Sequence, residues 1–450
     1  MDKLMENNEL DILIEGGTLL TMSDALEVID HPVIGIKNGK IEFVTGKDND
    51  GANLYTAKKV LNASGSIIMP GLINTHTHLP MVCFRGLADD LPLMDWLNNH
   101  IFPAEARFVN RDMVYAGAML AIAEMILSGT TTFCDAYFYE SSVARAAIDS
   151  GMRAVVCQGF IDLPNPNDPV KIADIAEGFI NKWQKEGPLI IPALACHSPY
   201  TCAPETLSFI KNVARKAEVL YNIHVSETKD EVVIIRKRFG KTPVKHLRDL
   251  DVLDDRTVAA HCNWLEDDEI EILRDCDVKV SHNPESSMKL AAGCAPIPIM
   301  IKKGITVGLG TDGCASNNDL DMFREMGTTA RLHKVIRMDP TVMDAKMVLK
   351  MATINGARVL GLENRIGSIE PGKFADIIIV DIKKPHLTPM YNCYSQLVYS
   401  ASGSDVKTSI IGGRIIMHER ELLHVDLPSI MYEVKKISQT IADQYTVSGG

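Results

Sequence analysis

Two histidines stand one residue apart in "PGLINTHTHL" (70–79), at the end of an apolar run. Side chains at i and i+2 share one face of a strand, so His76 and His78 can offer two imidazole donors to a single cation. Alone the pair says little, since 13 histidines in 450 residues give roughly 0.3 such pairs by chance. Its weight comes from distant partners: His197 in "ALACHSPY", His224 and Glu227 in "NIHVSET", His261 in "VAAHCN", His282 in "VSHNP" and Asp312 in "GLGTDG". His76, His78, His224 and Asp312 form a four-ligand N/O set for a borderline divalent ion, the catalytic form of a zinc site when a water completes it. Glu227, three residues past a ligand, can exchange a proton with both water and substrate. No lysine suited to a carbamate bridge lies between the ligands, so one metal ion is expected. Zinc is the first expectation, and Fe²⁺, Mn²⁺ or Co²⁺ suit the same donors.

Every one of these residues has an ordinary alternative. A lone strand-end histidine is more often hydrogen-bonded in a core or loop. Asp312 in "GTDG" could cap a turn or helix, and His282 before Asn-Pro could serve a turn. Glu227 could simply open the helix in "SETKDE". What separates the readings is joint placement at the ends of successive β-rich runs.

Those runs are "SIIMPGLINTH", "TTTFCD", "RAVVCQGF", "LIIPALACH", "VLYNIHVSE", "TVAAHCN", "VKVSHNP" and "ITVGLGTDG". Amphipathic helical stretches separate them, such as "NRDMVYAGAMLAIAEMILSG" (110–129) and "PETLSFIKNVARKAE" (204–218). Eight strand–helix units predict an α/β fold, a (β/α)₈ TIM-like barrel whose functional groups gather at the carboxyl ends of the strands. A doubly wound sheet would need a Gly-rich phosphate turn after its first strand, which is missing. At the chain ends, "DILIEGGTLLTM" (11–22), "VIGIKNGKIEFVTG" (33–46), "FADIIIVDI" (374–382) and "TSIIGGRIIMHERELL" (408–423) carry hairpin signals. They predict a small β-sandwich from both termini, 1–68 and 368–450, around a catalytic barrel over 69–367. The tail "LPSIMYEVKKISQTIADQY" (427–445) has helical spacing and is expected to clamp the outside.

The formal charge of −12 argues against a surface that tracks nucleic-acid phosphates. The opening residues lack a secretory pattern, and the apolar run "AGAMLAIAEMIL" is too short for a membrane span. A cytoplasmic protein with ten reduced, mainly packing cysteines and no membrane partner is expected.

With these residues in place, the chain resembles the amidohydrolase superfamily, in its mononuclear deaminase branch. The likeness spans nearly the whole sequence: "PGLINTHTHLPM", "HVSET", "AAHCNWL", "SHNPESSMKLAAG", "GLGTDGCASNNDLDM", "ATINGARVLGL" and "GSIEPGKFADIIIVD". The stretch "FRGLADDLPLMDWLNNHIFPAEARFV" (84–109) looks most like the 5-methylthioadenosine/S-adenosylhomocysteine deaminase group. That resemblance implies metal ligands at His76, His78, His224 and Asp312, a proton shuttle at Glu227, and an orienting His261 beside the attacking hydroxide. It further implies that Glu105 holds ribose hydroxyls, Trp96 packs on the purine and His197 touches substrate. The implied reaction replaces the 6-amino group of an adenosine-type nucleoside by oxygen, releasing ammonia; homo-oligomers are common among such enzymes. The Cys-based zinc signature of cytidine-type deaminases is absent.

Two departures stand out. Gln158-Gly159 replaces the arginine-glycine usual after the third strand, which weakens a hold on a negatively charged substrate tail. Ser286-Ser287 replaces Ser-Asn in the loop after strand seven. Rival readings are a guanine, pterin or chlorotriazine hydrolase, disfavoured by Glu105, and an inactive scaffold, disfavoured by the intact ligand set.

Overall fold

Short β-branched runs, each followed by a helix or turn, assemble into one eight-stranded parallel sheet. In the computed structural model, which describes residues 9–46, 55–162 and 168–446, its strands are β1 (Leu72–Thr77), β2 (Thr130–Tyr137), β3 (Arg153–Phe160) and β4 (Ile190–Cys196). The second half comprises β5 (Tyr221–Val225), β6 (Thr257–His261), β7 (Lys279–His282) and β8 (Val307–Leu309). Each strand pairs with its sequence neighbour, the order a (β/α)₈ barrel requires. The seam between β1 and β8 closes through the Asp312 N–H donating to His76 O at 3.0 Å and Asn74 Nδ2 donating to Thr311 Oγ1 at 2.7 Å. Closure thus ties the exit of β8 directly to the histidine pair.

The two chain ends build β-structure against this barrel. One sheet runs Lys40–Gly46, Pro32–Lys37, Glu9–Glu15, Thr56–Asn62. A second interleaves both termini: Glu421–Leu422, Arg414–His418, Val406–Ile411, Ile377–Asp381, Ser66–Pro70, Thr18–Leu20, Val28–Asp30. Ile14, Leu19, Ile34, Ile68, Ile377 and Ile410 share the apolar layer between them. The Asn38-Gly39 and Gly412-Gly413 turns join antiparallel neighbours as expected, with positive φ at all four residues.

Three local expectations are corrected. Gly16-Gly17 makes no hairpin; it passes the chain from one sheet to the other. A Cβ on Gly17 would stand 2.5 Å from Ala63 O, so the crossing needs glycine there. "SIIMPGLINTH" is two strands, not one: Ser66–Pro70 belongs to the terminal sheet and β1 begins after Gly71, where a Cβ would meet the Thr131 side chain at 2.0 Å. The helix Arg111–Leu127 is buried on most of its circumference rather than amphipathic, because the tail helix Leu427–Thr446 packs over it. Among the described residues no helix is long and apolar enough to cross a membrane, and all ten cysteines are free.

A buried ion pair fastens the barrel to the terminal sheets. Arg153 on β3 donates Nε and Nη2 to the Asp376 carboxylate at 2.6 and 2.9 Å, and both side chains are 2% exposed. Removing one partner strands the other charge away from water. Arg153→Ala is therefore expected to lower unfolding free energy by about 3–5 kcal/mol, measured by denaturant titration with activity per folded molecule retained.

Candidate active site

At the carboxyl end of the barrel, imidazoles from three strands converge. His78 Nδ1 donates to Ala136 O and His224 Nδ1 to His197 O, each at 2.6 Å. Both Nε2 atoms are left as bare lone pairs, yet they lie 3.3 Å apart. Two acceptors at that distance repel unless a cation joins them. His76 is fully buried and neither of its ring nitrogens has a hydrogen-bond partner. Asp312 Oδ1 lies 3.6 Å from His76 Nε2 and 3.3 Å from His78 Nε2. Orphaned buried nitrogens beside a carboxylate need a partner, and this donor set fits one divalent ion.

Burial holds the ring pKa values of His76, His78 and His224 down, reinforced at His78 and His224 by neighbouring imidazoles. The neutral form is the one that ligates. Burial alone would raise Asp312, but contact with His76 and the nearby His261 and His78 rings hold it well below the usual carboxylate range. Asp312 sits at φ +64°, in the left-handed region that Asn and Asp tolerate best among side-chain residues. Ser286 Oγ donates to its other oxygen, Oδ2, at 2.6 Å.

His261, at φ +71° on the last residue of β6, turns its ring toward the same point. Its Nε2 is buried without a partner and lies 3.9 Å from Glu227 Oε2. The Asn283 amide is best satisfied with its nitrogen donating to Ser281 Oγ, His282 O and Gly310 O, each at 3.2 Å. That orientation puts the amide oxygen at the position 3.4 Å from His261 Nδ1, which fixes the proton on Nδ1 and leaves Nε2 an acceptor. Burial pushes His261 down to about 4. Glu227 moves the opposite way, to about 8, through burial and then the Asp312 charge.

Glu227 is gripped through its backbone. Glu231, 2% exposed in the helix Lys229–Phe239, accepts the N–H of Ser226 at 2.9 Å and of Glu227 at 2.8 Å. Asn263 Nδ2 donates to Glu227 O at 3.0 Å and to Ser287 Oγ at 3.1 Å. Ser287, one of the two departures noted above, thus braces the residue that holds this peptide.

A cleft of about 920 Å³, counting its open mouth, extends from this cluster. Glu105 and Trp96 line it from the irregular helical segment Leu93–Phe108, whose middle turn, Trp96–Ile101, is a π-helical turn of a kind frequent at functional sites. Trp96 is 5% exposed and packs in the core while lining the cleft. Glu105 Oε1 accepts from Tyr137 Oη at 2.6 Å, and burial lifts its carboxyl to about 7 against that bond. His197 lines the cleft, with Nδ1 2.8 Å from Thr201 Oγ1, and burial brings it down to about 3.

Sequence reasoning missed Tyr137, Glu231, Asn263 and Asn283. Tyr137 had a signal: it closes the strand "TTTFCDAY" at the functional face. His282 is not at this site; its Nε2 meets His333 Nε2 at 3.0 Å in the core behind it. Gln158 is a larger surprise, because it lines a separate groove with Arg111, Arg145 and Lys182. It therefore does not shape the cleft as its place in the sequence suggested.

The fold and this donor set are those of a metal-dependent hydrolase. The amidohydrolase family model matches residues 67–416, and the chain belongs to that family. It is 47% identical, over 97% of its length and 100% of the relative's, to a 5-methylthioadenosine/S-adenosylhomocysteine deaminase of Syntrophobacter fumaroxidans. A 5'-deoxyadenosine deaminase of Methanothermobacter thermautotrophicus is 48% identical over 86% of this chain and 91% of its own. Among solved structures, an adenosine deaminase from Xanthomonas campestris with bound zinc superposes with a TM-score of 0.94 at 35% identity, covering 97% of this chain and 99% of that one.

Proposed function

We propose that this protein is a hydrolytic deaminase of adenosine-type nucleosides, converting the 6-amino purine to its 6-oxo form with release of ammonia. The observation that carries the reading is the convergence of His76, His78, His224 and Asp312 beside a raised-pKa carboxyl, Glu227, in a cleft that also holds Glu105. Relatives named as deaminases of three adenosine derivatives support it. The candidate substrates are 5'-methylthioadenosine, S-adenosylhomocysteine, 5'-deoxyadenosine or adenosine itself. The same reading assigns a catalytic barrel over 69–367 and a terminal β domain from 1–68 and 368–450, in a cytoplasmic enzyme with no nucleic-acid or membrane partner.

The four donors suit one ion, with zinc first because the Xanthomonas relative holds it and Fe²⁺ or Mn²⁺ also acceptable to N/O ligands. Such an ion, when bound, lowers the pKa of a coordinated water to about 7. The protein's own groups do the rest. Glu227, held neutral by burial, donates a proton to the ring nitrogen beside the amine-bearing carbon as water adds there. Asp312 and the Nε2 lone pair of His261 hold the attacking water and accept its proton. That proton then reaches the exocyclic amine, which leaves as ammonia, while the new hydroxyl returns a proton to Glu227 and becomes the 6-oxo group. Glu105 accepts the ribose hydroxyls, Trp96 packs on the base and His197 contacts the bound nucleoside.

Purified protein mixed with each of the four nucleosides should lose the adenine absorption and gain the hypoxanthine band, with one ammonia released per molecule. No spectral change with any of them, by protein shown to contain metal, contradicts the reading.

Glu231 acts through Glu227 as a positioning residue. Glu231→Gln keeps one carboxyl-like oxygen for the two backbone N–H groups and is expected to lower kcat about tenfold with KM little changed, the equivalent of one lost hydrogen bond of ~1.4 kcal/mol. A merely structural role would instead lower the thermal midpoint and leave kcat per folded molecule intact.

A further inference from the structure

The cleft's lining is apolar apart from a small set of polar groups. The polar groups cluster where the reaction occurs: the imidazoles, Asp312 and Glu227, with the Glu105–Tyr137 pair beside them. The rest of the lining is mainly apolar, with Leu97, Ile101, Phe102, Phe138, Phe160 and Ile161, and its remaining polar residues, Asn222 and Ser316, are neutral. Among the described residues that line the cleft there is no Lys and no Arg.

Several cations on neighbouring elements lie or bind outside the cleft, among them Arg238, which donates to Tyr200 O at 2.8 Å. Arg111, Arg145 and Lys182 line the groove around Gln158, which shares no lining residue with the cleft, and Arg145 pairs with Asp149 at 3.1 Å. Arg85 is bound to Glu124 and Cys314, and Lys289 to Asp89 at 2.6 Å.

We infer that this cleft selects adenosine-type nucleosides whose 5' substituent is uncharged and discriminates against a zwitterionic amino-acid tail. The inference rests on the deaminase reading above and narrows it. A carboxylate that leaves water needs a partner of opposite charge or a set of donors. Here it would meet apolar walls and acids already in place. A hydrogen, methyl or alkylthio group on the 5' carbon loses nothing on entering the same space and gains apolar contact. Discrimination by an unmet polar requirement is steeper than discrimination by one methylene.

The test compares kcat/KM for 5'-methylthioadenosine, 5'-deoxyadenosine, S-adenosylhomocysteine and 5'-butylthioadenosine, a neutral thioether of comparable reach. Expected is a kcat/KM for S-adenosylhomocysteine at least about tenfold below those of the three neutral nucleosides. S-Adenosylhomocysteine within tenfold of 5'-methylthioadenosine overturns the inference while leaving the deaminase reading intact. If 5'-butylthioadenosine is as poor as S-adenosylhomocysteine, length rather than charge decides, and the inference fails again. Turnover of none of the four overturns both.

Discussion

Glu227→Gln is expected to lower kcat by about 10²- to 10⁴-fold, the usual contribution of a positioned general acid. The amide matches the carboxyl in shape. The backbone grip of Glu231 and Asn263 acts on the peptide of residue 227 and is untouched by the change. Glu227 lies within 4.8 Å of Asp312 and His261 but is not one of the four proposed ligands, so the variant should keep its metal and its thermal midpoint. What it loses is a transferable proton: burial and the Asp312 charge hold the native carboxyl near 8, neutral at the pH of assay. Steady-state kinetics paired with metal analysis check this. Near-normal turnover with metal bound would remove Glu227 from the proton path.

Asp312→Asn should be at least as damaging, on the order of 10³-fold or more in kcat, and for a different reason. Asparagine tolerates the left-handed backbone at φ +64° and can still accept from Ser286, so the fold survives. The negative charge among three imidazoles disappears, and with it both a ligand and the acceptor of the water's proton. Metal content should fall together with activity. Ser286→Ala is the graded comparison: it frees one carboxylate oxygen without discharging it, and an outer partner of this kind is worth about 10- to 100-fold. An Asp312→Asn enzyme with full metal content and more than a tenth of native activity would contradict the assignment.

The convergence of the candidate site residues was legible in the sequence because strands advertise their exits. His76, His78, His224, His261 and Asp312 each follow a short apolar run, and the barrel brings all such ends to one face. The fold class followed from the same alternation. The supporting hydrogen bonds did not, since Ser286–Asp312, Asn263–Glu227 and Tyr137–Glu105 span 26, 36 and 32 residues and depend on how loops land. Gln158 was misjudged for a reason that strand parity could have exposed. Cys157 packs in the barrel interior, so the next side chain must face outward. Gly16-Gly17 shows the complementary limit: a hairpin signal is local, while the choice of sheet is made by Ala63 and Ser66, nearly fifty residues away.

The central claim is that one ion in the His76–His78–His224–Asp312 set serves the deamination of an adenosine-type nucleoside. It is tested most directly by stripping the protein with chelator and titrating Zn²⁺, Fe²⁺ or Mn²⁺ back while following 5'-methylthioadenosine. Activity should be lost on stripping, return in proportion to added metal and level off at one equivalent per chain. Activity that survives complete removal of metal, or that rises until two equivalents are bound, would contradict it.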